Sequence, residues 1–187
     1  AYTDRRDLWE TYLPAFEATL VEGKAYSVMS AYNRYLGESA TASTLLLKDI
    51  LRDKWGFQGY VVSDCGAISD IYKFHNIVAT AEEAAALAVK SGCDLNCGST
   101  YSHLVKAVKK GLISENEIDI ALKRLIKARI KLGLLNPSEQ MPYKEITENL
   151  IESDEHQALA LKTTRESIVL LKNSNKTLPL SKKTKTI

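Results

Sequence analysis

The chain lacks the long apolar runs and the clustered metal ligands that mark several classes of protein. No run of about 18 apolar residues occurs in its 187 residues, so the sequence predicts no membrane-spanning helix. It has only three cysteines, and the lone spacing Cys93-x-x-x-Cys97, without a histidine partner, predicts no zinc site. Residues 1–6 show neither the apolar core of a secretion signal nor an initiator methionine. We therefore expect a processed chain or a piece of a longer one.

Charge is almost balanced overall but is unevenly distributed. The net charge is +2, with −4 on residues 1–98 and +6 on residues 99–187. The positive excess lies on expected helix faces and in the lysine-rich tail at 182–185, and no aromatic residues are interleaved there. This pattern favours a solvated surface over a nucleic-acid site, so we expect neither a nucleic-acid nor a membrane partner.

Helical and strand patterns alternate along the first two thirds of the chain. Strands separated by crossover helices pair as parallel neighbours in one sheet, because such connections return the chain in the same direction. Three strands are too few to close a barrel, which needs about eight. The sequence therefore predicts an α/β fold, with residues 1–133 forming the C-terminal part of a TIM-like (β/α)8 barrel. The predicted helices are 8–20, 44–55, 80–90, 101–110 and 114–132, and the predicted strands are 26–32, 60–63 and 93–97.

The pattern changes after Gly133. Two prolines and weak periodicity predict a linker over residues 134–150. Ser153 is then the expected start of a helix that extends to about Glu166, followed by an apolar strand at 168–171. Residues 151–187 are therefore predicted to begin a second α/β domain.

The stretch 55–68 carries the most specific signal for function. The short β-branched and aromatic run 60–62 predicts a buried strand that ends at Asp64. Small residues follow, so the Asp64 carboxylate should project from the C-terminal end of the strand, where α/β barrels hold catalytic groups. Tyr32 and Cys97 end the other two predicted strands and should lie at the same edge. The local pattern alone favours a turn former or a helix cap, which is the more frequent role of an aspartate after a strand.

Six blocks of sequence, in order along the chain, resemble the family 3 glycoside hydrolases. They include Val-Met-Ser-Ala-Tyr-Asn at 28–33, Val-Val-Ser-Asp at 61–64 and Gly-Cys-Asp-Leu-Asn at 92–96. The resemblance implies a barrel-like first domain followed by an α/β sandwich. It also implies an exo-acting, retaining enzyme that releases β-linked xylose or glucose from oligosaccharides, and a secreted or periplasmic location. The other three blocks are 6–16, 51–59 and 166–173.

The same resemblance assigns roles to individual residues. Asp64 matches the nucleophile of the family, and Tyr32 matches a tyrosine that lines the sugar subsite beside it. Met29 lies close to a neighbouring position that contacts the sugar. The general acid/base and several sugar-binding residues have no counterpart within residues 1–187. We therefore expect the isolated chain to be inactive without the missing N- and C-terminal parts. The implied mechanism requires no cofactor or metal. The alternative function is that of a non-catalytic fragment or a carbohydrate-binding remnant.

Other polar residues have simpler interpretations. Asp94 begins a predicted strand and is expected to be structural, and Asp70 is most simply a helix or loop carboxylate. Tyr32 could itself be a core residue at the rim of the barrel. The histidines, all without ligand partners, are interpreted as surface or core residues; they are His75, His103 and His156.

The cysteines suggest a substrate preference. Ser-Asp-Cys at 63–65 and Asp-Leu-Asn-Cys-Gly at 94–98 resemble the β-xylosidase-like branch of the family. Neighbouring strand ends could bring Cys65 and Cys97 within disulfide reach. Such a pair could narrow the subsite where glucose places its hydroxymethyl group and so favour a pentose. Two reduced, buried cysteines without influence on specificity remain the alternative.

Overall fold

The structure, a computed structural model, describes residues 3–137, 140–141 and 143–186. The chain divides into two compact units, residues 1–141 and residues 142–187, which are described separately. Within the described residues, no helix combines the length and the apolar character that a membrane crossing requires.

The first unit is an α/β assembly rich in helices. Its first helix, α1, consists of four contiguous helical segments, Arg5–Asp7, Leu8–Tyr12, Leu13–Glu17 and Ala18–Glu22. The strands are β1 (Ser27–Met29), β2 (Arg34–Tyr35), β3 (Glu38–Ser39) and β4 (Tyr60–Val62). The remaining helices are α2 (Leu45–Lys54), α3 (Ala67–Lys73), α4 (Ala81–Ser91), α5 (Leu104–Lys109) and α6 (Glu115–Lys131). Short 3-10 turns cover Ala40–Ala42 and Thr100–His103.

Two strands form the parallel pair that the sequence predicts. Strand β1 pairs with β4 in a register that sets Val28 opposite Val61. The predicted strand at 26–32 is shorter than expected, because the chain leaves β1 after Met29 and enters the antiparallel β2–β3 hairpin. The turn of that hairpin places Leu36 and Gly37 at positive φ, and the Arg34 guanidinium bonds the Gly37 carbonyl oxygen.

The predicted third strand at 93–97 is wrong within the described residues. Only one parallel bridge forms, between Val62 and Leu95. On one side of that bridge the Asp94 carboxylate, rather than a backbone carbonyl, accepts the N–H of Val61 at 2.9 Å. On the other side the Cys97 N–H donates to the hydroxyl of Ser63 at 2.9 Å. Side chains thus replace the strand ladder on both sides of Leu95.

Helices α4 and α6 begin where the sequence predicts. Thr80 and Glu83 form a reciprocal capping box at the start of α4, and Ser114 and Glu117 form another at the start of α6. Helix α4 ends at Gly92, which adopts φ +109°, a left-handed conformation that suits glycine.

The main core lies between strand β4 and helices α2, α3 and α4. A second cluster packs α4 against α5 and α6. Burial of these apolar side chains is the main stabilising contribution, at about 25 cal/mol per Å² removed from water. The fully buried members of the first cluster include Val61, Ile68, Ile71, Ala84, Ala88 and Cys93.

The second unit contains helix α7 (Asp154–Ser167) and two short 3-10 turns, Glu148–Leu150 and Ser174–Lys176. Ser153 caps α7 as predicted, since its hydroxyl accepts the N–H of His156. The apolar strand predicted at 168–171 is wrong, because these residues pair with no strand in the described chain and are all exposed. The predicted linker at 134–150 includes Ser138, Glu139 and Pro142, which lie outside the described residues.

Candidate active site

Asp64 lies two residues after β4, in the turn that leads into α3. Its carboxylate is half-buried, and Oδ1 accepts the backbone N–H of Cys65 at 2.7 Å. Gly66 caps α3 with φ +89°, and its side-chain-free backbone allows the chain to pass from strand to helix in four residues. Since Gly66 occupies the cap position, the helix-cap interpretation of Asp64 does not apply.

Tyr32 lies beside this turn, although 33 residues separate it from Cys65. Its hydroxyl donates to the carbonyl oxygen of Cys65 at 2.5 Å. The pKa of the Tyr32 phenol lies above its usual value, first because the hydroxyl is partly desolvated and then because the nearby Asp64 carboxylate favours the protonated phenol as a hydrogen-bond donor and repels the phenolate. The charge of Asp70 acts in the same direction. Tyr32 therefore presents a protonated hydroxyl at the Asp64 carboxylate, and 45% of the residue is exposed, which is unlike a core tyrosine.

Met29 ends β1 opposite Val62, at the same end of the strand pair as Asp64. The residue is 59% exposed. It also lines an apolar cavity of about 470 Å³ between α1, β1 and α2, together with Phe16, Val28 and Leu47. Neither Asp64 nor Tyr32 lines this cavity, which is therefore distinct from the edge that carries the carboxylate.

The structure joins Cys65 and Cys97 in a disulfide, with their Cα atoms 4.4 Å apart. The predicted proximity of these two cysteines is confirmed, and the alternative of two reduced thiols is not what the structure contains. Three groups of Cys65, the sulfur, the backbone N–H and the backbone carbonyl, are therefore each bonded to another residue. Its sulfur bonds Cys97, its N–H donates to Asp64, and its carbonyl accepts the Tyr32 hydroxyl.

Asp94, in contrast, is enclosed by hydrogen-bond donors. Its Oδ2 accepts from Arg52 Nη2 at 2.7 Å and from Val61 N at 2.9 Å, and its Oδ1 accepts from Arg124 Nη1 at 2.7 Å. Only 1% of the side chain is exposed. Burial lowers the pKa of Arg52, and the charge of Asp94 opposes that shift. This carboxylate has no free face for a substrate, in keeping with the structural role that the sequence predicts.

Sequence reasoning missed the two arginines of this cluster. Arg52 lies beside the buried Leu51 on α2, and Arg124 lies on α6 three residues after the buried Ala121. A basic residue next to the buried face of an amphipathic helix is the signal that could have found them, because a buried charge needs a partner. Among the described residues, no group of three His, Cys, Asp or Glu side chains is arranged to hold a metal ion.

Comparison with known proteins identifies the family. The N-terminal domain of glycosyl hydrolase family 3 matches residues 1–128. The chain belongs to glycosyl hydrolase family 3. The family recognised from the six sequence blocks is thereby confirmed, together with the α/β class of the fold.

Curated relatives of the chain are named as xylosidases. A probable beta-D-xylosidase 7 of Arabidopsis thaliana is 44% identical over 179 residues, covering 95% of this chain and 23% of the relative. A xylan 1,4-beta-xylosidase of Xylanibacter ruminicola is 41% identical over 179 residues, covering 95% of this chain and 21% of the relative. The chain thus spans between a fifth and a quarter of the length of these relatives.

Solved structures of the family superpose well on the chain. The exo-beta-xylosidase XlnD, in complex with a xylobiose aziridine probe, shares 33% identity and a TM-score of 0.86 over 97% of this chain and 24% of its own. The b-glucosidase EmGH1 of Erythrobacter marinus shares 36% identity and a TM-score of 0.78 over 90% of this chain and 22% of its own. Solved structures named for a xylosidase and for a glucosidase therefore share this fold.

Proposed function

We propose that these residues supply the nucleophile of an exo-acting, retaining β-glycoside hydrolase that releases terminal xylose or glucose from oligosaccharides. One observation carries the proposal. The Asp64 carboxylate stands at the end of β4, bonded to the Cys65 N–H, with the protonated hydroxyl of Tyr32 beside it. Asp94, the other carboxylate beside β4, is fully occupied by arginines and a backbone N–H.

The proposed chemistry follows from this arrangement. Asp64 attacks the anomeric carbon and forms a covalent glycosyl ester while an acid protonates the departing oxygen. Water, deprotonated by the conjugate base of that acid, then attacks the anomeric carbon from the face that the leaving group vacated and displaces the Asp64 carboxylate, so that two inversions give retention. Tyr32 holds its hydroxyl at the carboxylate and the sugar ring, and Met29 contributes to the rim of the subsite. This mechanism uses no cofactor.

We assign the acid/base to a part of the protein outside residues 1–187. Retaining hydrolysis needs a second carboxyl group about 5–5.5 Å from the nucleophile. Asp94 is bound in its arginine cluster and cannot serve. The relatives are at least four times longer than this chain, which leaves ample sequence for the second group. Residues 1–187 alone should therefore hydrolyse no glycoside, because a nucleophile without its acid loses protonation of the leaving group.

We also propose a finer description of the architecture. We place β1, β4 and the Leu95 bridge at consecutive positions of a (β/α)8 barrel whose C-terminal part is residues 1–133. Residues 134–150 then form the linker, and residues 151–187 begin the α/β sandwich domain. The parallel pairing of β1 with β4 and the helices between them support this assignment.

We also propose that xylosides are preferred over glucosides. The Cys65–Cys97 disulfide lies next to Asp64 and narrows the space in which a glucose hydroxymethyl group would fit. Exclusion of one such group by shape changes the transition-state free energy by only about 1–3 kcal/mol. Measurable glucosidase activity is therefore expected alongside the xylosidase activity.

Hydrolysis of nitrophenyl β-xyloside and β-glucoside by the protein at its natural length tests the proposal. Asp64→Ala should lower kcat by at least about 10³-fold on both sugars, as loss of a nucleophile does in other covalent enzymes. Asp53→Asn, at an exposed position on α2, is the matched control and should retain full activity. Undiminished activity of Asp64→Ala would show that another carboxylate attacks the sugar, and a parent inactive on both sugars would overturn the substrate class.

A further inference from the structure

Two short segments that are remote in sequence are fastened together around Asp64. We call residues 63–66 the nucleophile turn and residues 95–98 the anchor segment. Every residue of the nucleophile turn except Asp64 is bonded to the anchor segment. The bonds are Ser63 N to Leu95 O at 2.8 Å, Cys97 N to Ser63 Oγ at 2.9 Å, Asn96 Nδ2 to Ser63 Oγ at 3.3 Å, Gly66 N to Cys97 O at 2.8 Å, and the Cys65–Cys97 disulfide.

Ser63 makes the first set of contacts between the nucleophile turn and the anchor segment. The residue is 1% exposed, and its hydroxyl oxygen accepts from both the Cys97 N–H and the Asn96 amide. A hydroxyl oxygen has two lone pairs, so its acceptor capacity is fully used. Because the serine is the residue directly before Asp64, these bonds fix the backbone from which the carboxylate projects.

The disulfide makes the second contact between these two segments. Cys65 directly follows Asp64 and is itself an exposed residue, so the bond to Cys97 is what ties its side chain to the body of the protein. Its N–H donates to Asp64 Oδ1, and its carbonyl accepts the Tyr32 hydroxyl. Fixing the Cys65 backbone therefore fixes the carboxylate and Tyr32 relative to each other.

We propose that Ser63 and the Cys65–Cys97 disulfide are positioning residues that hold the Asp64 carboxylate in line with the anomeric carbon. The inference rests on the proposed role of Asp64 as nucleophile. Covalent catalysis needs the attacking atom at a near-attack distance, and a displacement of about 1 Å can lower the rate by about 100-fold. Neither Ser63 nor the disulfide takes part in bond making, so their loss should lower the rate of attack and leave the binding of a xyloside, which has no hydroxymethyl group, nearly unchanged.

A redox dependence follows from the same geometry. A dithiol such as dithiothreitol reduces the bond by giving two electrons and two protons, which leaves two cysteine thiols and the cyclic disulfide of the reagent. We expect the reduced protein, still folded, to lose activity and to regain it when the bond is re-formed by oxidised dithiothreitol.

The test uses the protein at its natural length and separates kcat from KM on nitrophenyl β-xyloside. We expect Ser63→Ala, Cys65→Ser and the double variant Cys65→Ser/Cys97→Ser each to lower kcat by about 10- to 100-fold, with KM changed by less than about 3-fold. The rate of covalent labelling by an activated 2-fluoro xyloside should fall by the same factor as kcat. Ser102→Ala, which removes an exposed hydroxyl bonded to Ser99 O, is the matched control and should match the parent.

Several outcomes would overturn the inference. Unchanged kcat in all three variants and in the reduced parent would show that the fastening does not position the nucleophile. A raised KM at constant kcat would assign the disulfide to the shape of the sugar subsite alone. Activity that falls only in proportion to the folded fraction, measured by circular dichroism, would make the role purely structural. The Asp64→Ala variant separates the two proposals, since its retained activity would refute the nucleophile itself rather than its positioning.

Discussion

The carboxylate of Asp94 accepts the backbone N–H of Val61 at 2.9 Å, in the place where a neighbouring strand would offer a carbonyl oxygen. The same carboxylate binds Arg52 from α2 and Arg124 from α6. One side chain therefore satisfies the edge of β4 and ties two helices to it. This arrangement holds β4, which ends two residues before Asp64.

Replacing Asp94 should strongly destabilise the fold. In Asp94→Ala two partly buried guanidinium groups lose their counter-charge and the Val61 N–H loses its acceptor. Removal of one partner from a buried ion pair typically costs about 3–5 kcal/mol, and we expect the free energy of unfolding to fall by this amount. Asp94→Asn keeps an acceptor oxygen, so its free energy of unfolding should lie between those of Asp94→Ala and the parent.

Urea unfolding of both variants provides the measurement. Asp119→Asn, at an exposed position on α6, is the control and should lie within about 0.5 kcal/mol of the parent. A loss of less than about 1 kcal/mol in Asp94→Ala would contradict the importance of the cluster, because that is an ordinary effect for a single substitution.

Glu82 should make the stability of the first unit depend on pH in the acid range. Its Oε1 lies 2.7 Å from Lys106 Nζ and 3.0 Å from Lys110 Nζ. The hydrogen bond from Lys106, with further contributions from the backbone and Lys110, lowers the pKa of Glu82 from 4.5 to about 2. A lowered folded-state pKa stabilises the fold above the unfolded-state value, and this stabilisation is lost as the pH falls from about 4.5 towards 2.

Comparing Glu82→Gln with the parent isolates this effect. The variant should be less stable at pH 7, and the difference between the two proteins should shrink steadily as the pH falls through this window. Thermal unfolding at a series of pH values measures it, with Glu17→Gln on the exposed face of α1 as the control. A difference that stays constant from pH 7 to pH 2 would mean that the charge of Glu82 contributes no stability.

Gly59 should tolerate no side chain, for a reason of space rather than of backbone conformation. A Cβ atom at this position would collide with the carbonyl oxygen of Tyr26 and with the Phe57 ring. Because the Tyr26 carbonyl belongs to the backbone just before β1, it cannot rotate away. We expect Gly59→Ala to lower the free energy of unfolding by about 1–3 kcal/mol, as overpacking does elsewhere.

Denaturant unfolding checks the Gly59 prediction, with Gln58→Ala as the neighbouring exposed control. Equal stability of Gly59→Ala and the parent would show that β1 and β4 separate at this end without cost.

The apolar segment 168–171 should drive self-association of the isolated chain. All four residues are exposed, with Leu171 at 91%, and no strand pairs with them in the described chain. Such an unpaired apolar run is prone to edge-to-edge association. A double substitution, Val169→Lys with Leu171→Lys, should raise the monomer fraction of residues 1–187 in sedimentation experiments. A parent chain that is already monomeric at high concentration would refute this expectation.

Local signals in the sequence predicted most of the helices but missed α3, and long-range contacts explain the strand that failed. The capping boxes at Thr80 and Ser114 need only residues within one turn, so α4 and α6 begin as expected. The predicted strand at 93–97 failed because Asp94 binds arginines 42 and 30 residues away, contacts that no local pattern contains. An apolar run such as 168–171 forms a strand only when a partner strand is present, and no strand pairs with it in the described chain.

The candidate site was predicted in outline from the order of its elements. The C-terminal ends of parallel strands share one edge of a sheet, and this alone predicts that Tyr32, Asp64 and Cys97 lie close together. The precise contacts needed the structure, because Tyr32 lies in the segment between β1 and β2, where the sequence predicted a continuous strand, and its hydroxyl reaches the Cys65 carbonyl from there. Likewise, nothing in the sequence singled out the hydroxyl of Ser63.

The buried thiol of Cys93 has a consequence for oxidative folding. Three cysteines allow three different single bridges, and the folded chain holds the one between Cys65 and Cys97. Burial raises the pKa of the Cys93 thiol to about 12, and only a thiolate attacks a disulfide. In the native state the Cys93 thiol is therefore unreactive, and its exchange with the disulfide at Cys97, four residues away, is suppressed. Exchange with Cys93 therefore requires unfolding, which exposes its thiol.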